Sequence, residues 1–219
     1  MASEHELMMA RLASVGYRRL RSANCASNLL EREGTSMIHL LLLCLILFQA
    51  GAQTAQKPVI ENDRVVVWEV SDSAPAQPLD AVVVSVSGKA SFLPKGTPPK
   101  ITGRSIVIDL KDHPVPPIEN TSGYPLAFPR PGVKKILEND RVIVWDYTWT
   151  PGVPTPMHFH DKDVVVLFLK DGDLKSTTLD GQSVVNSYTP DTVRFNARNR
   201  THTETLVRGQ QRAIITELR

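Results

Sequence analysis

Apolar residues in this chain recur with a period of two or in short runs, and almost nowhere with the period of a helix. Beyond residue 53, β-branched runs occupy 65–70, 81–86, 105–110, 142–149, 164–170, 173–178, 192–195, 203–207 and 213–218. Turn signals separate them, among them Asp171-Gly172-Asp173 and Asp180-Gly181-Gln182. Runs of this length between Gly, Asp and Pro read as strands. Many short strands without helical segments predict an all-β sandwich or barrel. Residues 164–169 are apolar at every position, so that strand is expected to be covered on both faces. Residues 113–132 contain PVPP and FPRP. Proline lacks an amide donor and fixes φ, so this stretch reads as a connector lying on the surface.

The strand pattern occurs twice. Val59-Ile60-Glu61-Asn62-Asp63-Arg64-Val65-Val66-Val67-Trp68 returns as Ile136-Leu137-Glu138-Asn139-Asp140-Arg141-Val142-Ile143-Val144-Trp145, identical at seven positions with an offset of 77. Repetition at this level signals two copies of one domain. Ala81-Val82-Val83-Val84 aligns with Asp163-Val164-Val165-Val166 at an offset of 82, each run leading to a glycine turn, at Gly88 and Gly172. The predicted organisation is a leader at 1–52, a first half at 53–112, the connector at 113–132 and a second half at 133–219. Trp68 and Trp145 fall at equivalent places, which argues packing rather than chemistry.

The leader reads differently from the rest. Residues 38–48 are IHLLLLCLILF, too short to span a bilayer and suited to the apolar core of a signal peptide. Ala50-Gly51-Ala52 follows as a cleavage site, so a mature chain of 167 residues (219 − 52) is expected to start near Gln53. Met37 directly precedes the apolar run and is the expected true start; a long positive leader and a membrane anchor are the alternatives. The expected location is periplasmic or secreted. Both cysteines, Cys25 and Cys44, lie in the leader, so no disulfide is expected in the mature chain. With 25 basic and 23 acidic side chains overall, no charge block points to nucleic acid or a membrane surface.

Chemistry concentrates in the second half. Gly152-Val153-Pro154-Thr155-Pro156-Met157-His158-Phe159-His160 precedes the fully apolar run. On a strand, residues i and i+2 share a face, so His158 and His160 project together. Thr201-His202-Thr203-Glu204 has the same spacing, placing His202 and Glu204 on one face. Converging imidazoles form a metal-ligand arrangement. Arg194, Arg198 and Arg200 stand just upstream, as an anion site or as a solvated loop.

Gly152, His158, His160 and Gly172 resemble the first motif of the cupin superfamily, and Pro190 with His202 resembles the second. The resemblance implies tandem cupin barrels, of double-stranded β-helix or jelly-roll type, with a degenerate first copy. Projection at the offset of 82 places Ala76 and Pro78 where the histidine pair should stand. The family's glutamate ligand would fall at Val165, which is expected to face the site with only methyl groups. What the resemblance leaves is a three-histidine set, used by some cupin dioxygenases acting on thiols, with Glu204 as the preferred replacement carboxylate and catalytic group. Asp161 and Asp163 read as turn residues.

The expected function is that of an exported metal-binding cupin protein. It would be a small-molecule oxidoreductase or dioxygenase holding iron, manganese or zinc on His158, His160 and His202. The rival readings are a non-catalytic binder of a small ligand and a sugar-type isomerase or epimerase. Expected partners are a small molecule and, for the mature chain, neither membrane nor nucleic acid; homodimerisation is a further candidate.

Overall fold

The structure, a computed structural model, describes residues 57–113 and 115–219. The leader, its cleavage site, Met37 and both cysteines lie outside the described residues. The first half forms β1 (Ile60–Glu61), β2 (Val65–Val70), β3 (Ala81–Ser85), β4 (Ala90–Leu93) and β5 (Ser105–Leu110). The second half forms β6 (Val133–Glu138), β7 (Val142–Thr148), β8 (His158–His160), β9 (Val164–Phe168), β10 (Gly172–Thr178), β11 (Ser183–Tyr188), β12 (Val193–Asn196), β13 (Arg200–Gly209) and β14 (Arg212–Leu218). Every element among the described residues is a strand, and every strand ladder is antiparallel. The predicted all-β class is observed.

Three sheets result. The front sheet has the order β1-β2-β5-β3-β4, the middle sheet β12-β9-β14-β7-β6, and the histidine sheet β11-β10-β13-β8. Front and middle sheets share one topology: read from the other edge, the middle sheet runs β6-β7-β14-β9-β12 and matches β1-β2-β5-β3-β4 strand for strand. Register confirms the match, since Val82 pairs with Phe92 and Ile108 where Val165 pairs with Phe195 and Thr216. The equivalence sets the offset at β3 and β9 to 83, one more than the sequence alignment gave. A single step matters on a strand, because it exchanges the two faces.

The two copies therefore differ by one whole sheet. Among the described residues, the first copy has no strand corresponding to β8, β10, β11 or β13. Residues 71–80, which contain Ala76 and Pro78, form no strand at all. The histidine sheet exists only in the second copy, where it closes on the middle sheet as a two-sheet barrel of the double-stranded β-helix type. Its interior is filled by Trp145, Val164, Val166, Phe168, Leu174 and Leu206, with others.

The opposite face of the middle sheet is covered by the front sheet. Val65, Val67, Val82, Val84, Ile106 and Ile108 pack there against Val142, Val144, Val165, Leu167 and Ile214. This explains the run at 164–169: odd positions face the front sheet and even positions face the barrel. Val165 therefore points away from the site, not into it as expected from the motif spacing.

The repeated Asn-Asp-Arg segment builds the same turn twice. Asn62 Oδ1 accepts from the amides of Arg64 and Val65 (2.8 and 3.0 Å), and Asn139 Oδ1 from those of Arg141 and Val142 (2.9 and 3.0 Å). Each arginine then reaches into the other copy. Arg64 donates to the carbonyl of Arg219 and pairs with Asp163 at 3.4 Å; Arg141 donates to the carbonyls of Leu110 and Lys111 and pairs with Asp80 and Asp112. Asp163 is thus a buried ion-pair partner rather than a turn residue. The tryptophans behave as equivalents too: Trp68 Nε1 donates to Asp109 and Trp145 Nε1 to Glu217, both at 2.8 Å.

Candidate metal centre

β8 is three residues long because prolines at 154 and 156 precede it and the Asp161 turn ends it. It pairs with the start of β13, with His158 opposite His202. Period-two alternation then turns His158, His160 and His202 to the barrel interior. All three are buried, with exposures of 2, 6 and 8%. His158 Nε2 lies 3.2 Å from His160 Nε2, which lies 3.2 Å from His202 Nε2. One ligating nitrogen from each falls within 4.8 Å of the others.

The surroundings fix the ring proton of His158. The carbonyl of Pro156 can only accept, so His158 Nδ1, 2.8 Å away, is the N–H and Nε2 carries a lone pair. His202 Nδ1 lies 3.1 Å from Ser176 Oγ. His160 Nδ1 is buried without a partner. With His158 Nε2 unprotonated, at most one of the two Nε2 contacts is a hydrogen bond and the other is repulsive. A shared cation relieves that repulsion. Metal–nitrogen bonds of 2.0–2.1 Å at tetrahedral angles place nitrogens about 3.3 Å apart, and the observed separations fit. Burial lowers the pKa of all three imidazoles, to about 4 for His158 and His202, and nearby arginines add to the shift. Neutral imidazole is the ligating form.

The histidines sit in the wall of a cavity of about 130 Å³. One side is apolar, from Val164, Val166, Phe168 and Ile215 of the middle sheet. The other is polar, from Ser176, Asn186, Arg200, His202 and Glu204 of the histidine sheet. Glu204 shares the face of His202, as its spacing predicts. Its carboxylate accepts from Trp149 Nε1 at 3.2 Å, however, and is not among the converging ligand atoms. Of the three upstream arginines only Arg200 lines the cavity; Arg194 is exposed and Arg198 bonds the carbonyl of Pro116. Asp161 pairs with Lys162 and is not among the converging ligand atoms.

Two residues of the connector belong to the site, and sequence reasoning missed both. Leu126 forms a parallel bridge to Phe159, and backbone bonds flank it: the amide of Ala127 donates to the Phe159 carbonyl, and that of Phe159 to the Pro125 carbonyl. The connector thus extends the histidine sheet at its edge, where proline is tolerated, instead of lying wholly on the surface. Phe128 is buried, stacks on Trp145 with centroids 5.3 Å apart and meets His160 edge-on at 6.2 Å. Arg130 stands over Phe128 and Tyr147, and its Nη1 lies 3.1 Å from His158 Nε2. No period-two or motif signal marks residues 126–130; their only cue is the FPRP cluster itself.

No family model matches the chain, and no curated protein matches it in sequence. Among solved structures it is similar to a cupin domain from Bordetella pertussis Tohama I, at 25% identity and a TM-score of 0.37, covering 42% of this chain and 97% of that one. It is similar also to a cupin 2 conserved barrel domain protein from Leptotrichia buccalis, at 10% identity and a TM-score of 0.43, covering 77% and 90%. A third is a cupin superfamily protein from Desulfitobacterium hafniense, at 19% and 0.32, covering 39% and 74%. The second half is a two-sheet antiparallel β-barrel with its motif histidines gathered on the inner wall.

Proposed function

We propose that the protein binds one divalent metal ion per chain through His158, His160 and His202 and uses it on a small molecule held in the adjoining cavity. The observation that carries this reading is the convergence of three buried Nε2 atoms, with His158 Nδ1 tied to a carbonyl. The neutral imidazoles suit iron, manganese and zinc alike. When bound, such an ion supplies Lewis acidity or, if iron or manganese, redox chemistry. The protein's own groups orient the ligands: Pro156 and Ser176 fix two rings, Phe128 buttresses the third, and the apolar wall limits water. Glu204, held by Trp149, is among the described residues the one carboxylate that lines the cavity, placed to take or give a proton there. Oxidoreductase chemistry of the dioxygenase type is the reading we favour, and export to the periplasm or medium accompanies it. The engagement of Glu204 by Trp149 favours a second reading, a non-catalytic ligand-binding barrel.

Elemental analysis of purified protein is expected to give close to one metal per chain. His158→Ala or His202→Ala is expected to lower that to background while the far-ultraviolet β signal persists. Stoichiometric zinc uptake by His202→Ala would sink the ligand assignment. Oxygen uptake with small substrates separates the catalytic from the binding reading. Mass spectrometry of protein from its host is expected to find an N-terminus at or near Gln53; an intact leader on soluble cytoplasmic protein would end the export proposal.

A further inference from the structure

The cavity holds more positive charge than three neutral histidines need. Arg130 enters from the connector and Arg200 from the start of β13, against a single carboxylate, Glu204. Both guanidiniums are largely desolvated, and Arg130 Nε is buried with no hydrogen-bond partner. A buried, underemployed guanidinium is costly unless an anion completes it. Arg130 is also aimed at the histidines. Its Nη1 lies 3.1 Å from His158 Nε2 and 3.2 Å from His158 Nδ1. Standing almost equally near both ring nitrogens, Nη1 lies over the imidazole face and not on the in-plane Nε2 lone pair. That is the lone pair a metal would use.

We infer that the cavity is a site for a small carboxylate, and that Arg130 is the residue that binds it beside a metal held on His158. This rests on the metal reading above. A metal on the in-plane lone pair of His158 Nε2 would leave the Arg130 guanidinium over the ring face, beside the ion and with Nε still unpaired. The fork of a guanidinium matches the two oxygens of a carboxylate. Aromatic faces of Phe128 and Tyr147 hold the side chain in place, with Arg130 Cζ 5.0 and 4.5 Å from their centroids. Size and wall chemistry narrow the ligand further. About 130 Å³ is roughly the space of four waters, and one wall is hydrocarbon. The fitting class is a carboxylate of two to four carbons, its body against Val164, Val166 and Phe168.

The test is a pair of titrations on the full chain: zinc into metal-free protein, then propionate into zinc-loaded protein, for wild type, Arg130→Gln and Arg130→Lys. Wild type is expected to bind both. Arg130→Gln is expected to weaken propionate at least tenfold while zinc binds as tightly or more tightly, because a like charge beside the histidines has gone. Arg130→Lys keeps the charge without the fork and is expected to fall between. Propionate binding unchanged in Arg130→Gln would overturn the inference. So would loss of zinc and propionate together, which would make Arg130 a support of the metal centre instead. Wild type that binds zinc but no propionate defeats this inference alone; wild type that binds no zinc defeats the metal reading beneath it.

Discussion

Val164, Val165 and Val166 are chemically identical and serve two different cores. Val164 and Val166 line the metal cavity, whereas Val165, 1% exposed, packs between the middle and front sheets. A glutamate at each place should act accordingly. Val165→Glu buries a carboxylate among valines and is expected to cost about 3 kcal/mol or more of stability, read as a lower urea midpoint with no gain in metal affinity. Val164→Glu or Val166→Glu presents the carboxylate to the cavity, and one of the two is expected to tighten zinc. Tighter zinc from Val165→Glu would contradict the observed facing. The motif glycines serve backbone needs: Gly152 adopts φ +72, and a Cβ at Gly172 would stand 3.1 Å from the Arg208 carbonyl oxygen. Much of the site was legible in the sequence, because H-x-H is a statement about one strand face. Arg130 and Phe128 were not, because their approach depends on a long-range bridge from a proline-rich segment to β8, and no local periodicity encodes such a bridge. Val165 was misplaced because motif spacing counts residues, and one residue on a strand is a change of face.

Strand pairs, rather than single strands, carry the relation between the copies. β2 with β5 and β7 with β14 present the same Trp–carboxylate pair, and the arginines that open β2 and β7 cross reciprocally between sheets. Their environments are not equal. The Arg64 and Asp163 side chains are 10 and 8% exposed, whereas Arg141 is 32% exposed and its partners Asp80 and Asp112 are 30 and 82% exposed. Breaking a buried pair leaves an uncompensated charge, so Arg64→Ala is expected to cost about 3 kcal/mol. Arg141→Ala is expected to cost about 1 kcal/mol, as for a solvent-screened pair. Chemical denaturation of the two variants checks the asymmetry; equal losses would mean that burial does not decide it. Arg64→Ala is also expected to loosen the metal centre, because Asp163 accepts from the amide of Arg198 and so fixes the loop leading into β13. The long β-branched strands were readable from sequence. β4 and β11 were not: both are edge strands, and β11 carries Val184 and Val185 more than half exposed on opposite faces, so alternation is lost.

As a whole, the molecule described is a stack in which the middle sheet is shared by two cores. The front sheet seals one face, and its own outer face is closed by loops that bring Ala74 and Ile101 onto Val70, Val83 and Val107. The histidine sheet seals the other face and buries three imidazoles on its β8–β13 pair. That burial makes stability depend on pH. His158 and His202 titrate near 4 in the folded chain, and His160 well below its ordinary value, all chiefly because burial disfavours the charged form. In the unfolded chain they titrate near 6.5. Between about 4 and 6.5 the unfolded state therefore binds more protons than the folded one. Stability rises with pH through that window, is fully present above it, and is lost as pH falls. Asp109 and Glu217, whose carboxyls burial raises, act in the opposite sense and blunt the effect at its acid end. Replacing all three histidines with glutamine isolates the imidazole contribution, since the carboxyls remain. In chelator-treated buffer the urea midpoint of wild type is expected to drop further between pH 7 and pH 5 than that of the triple variant. Added zinc should steepen the wild-type dependence, because protons and metal compete for the same lone pairs. Equal drops in the two proteins would show that the acid sensitivity of the fold lies outside the histidine cluster.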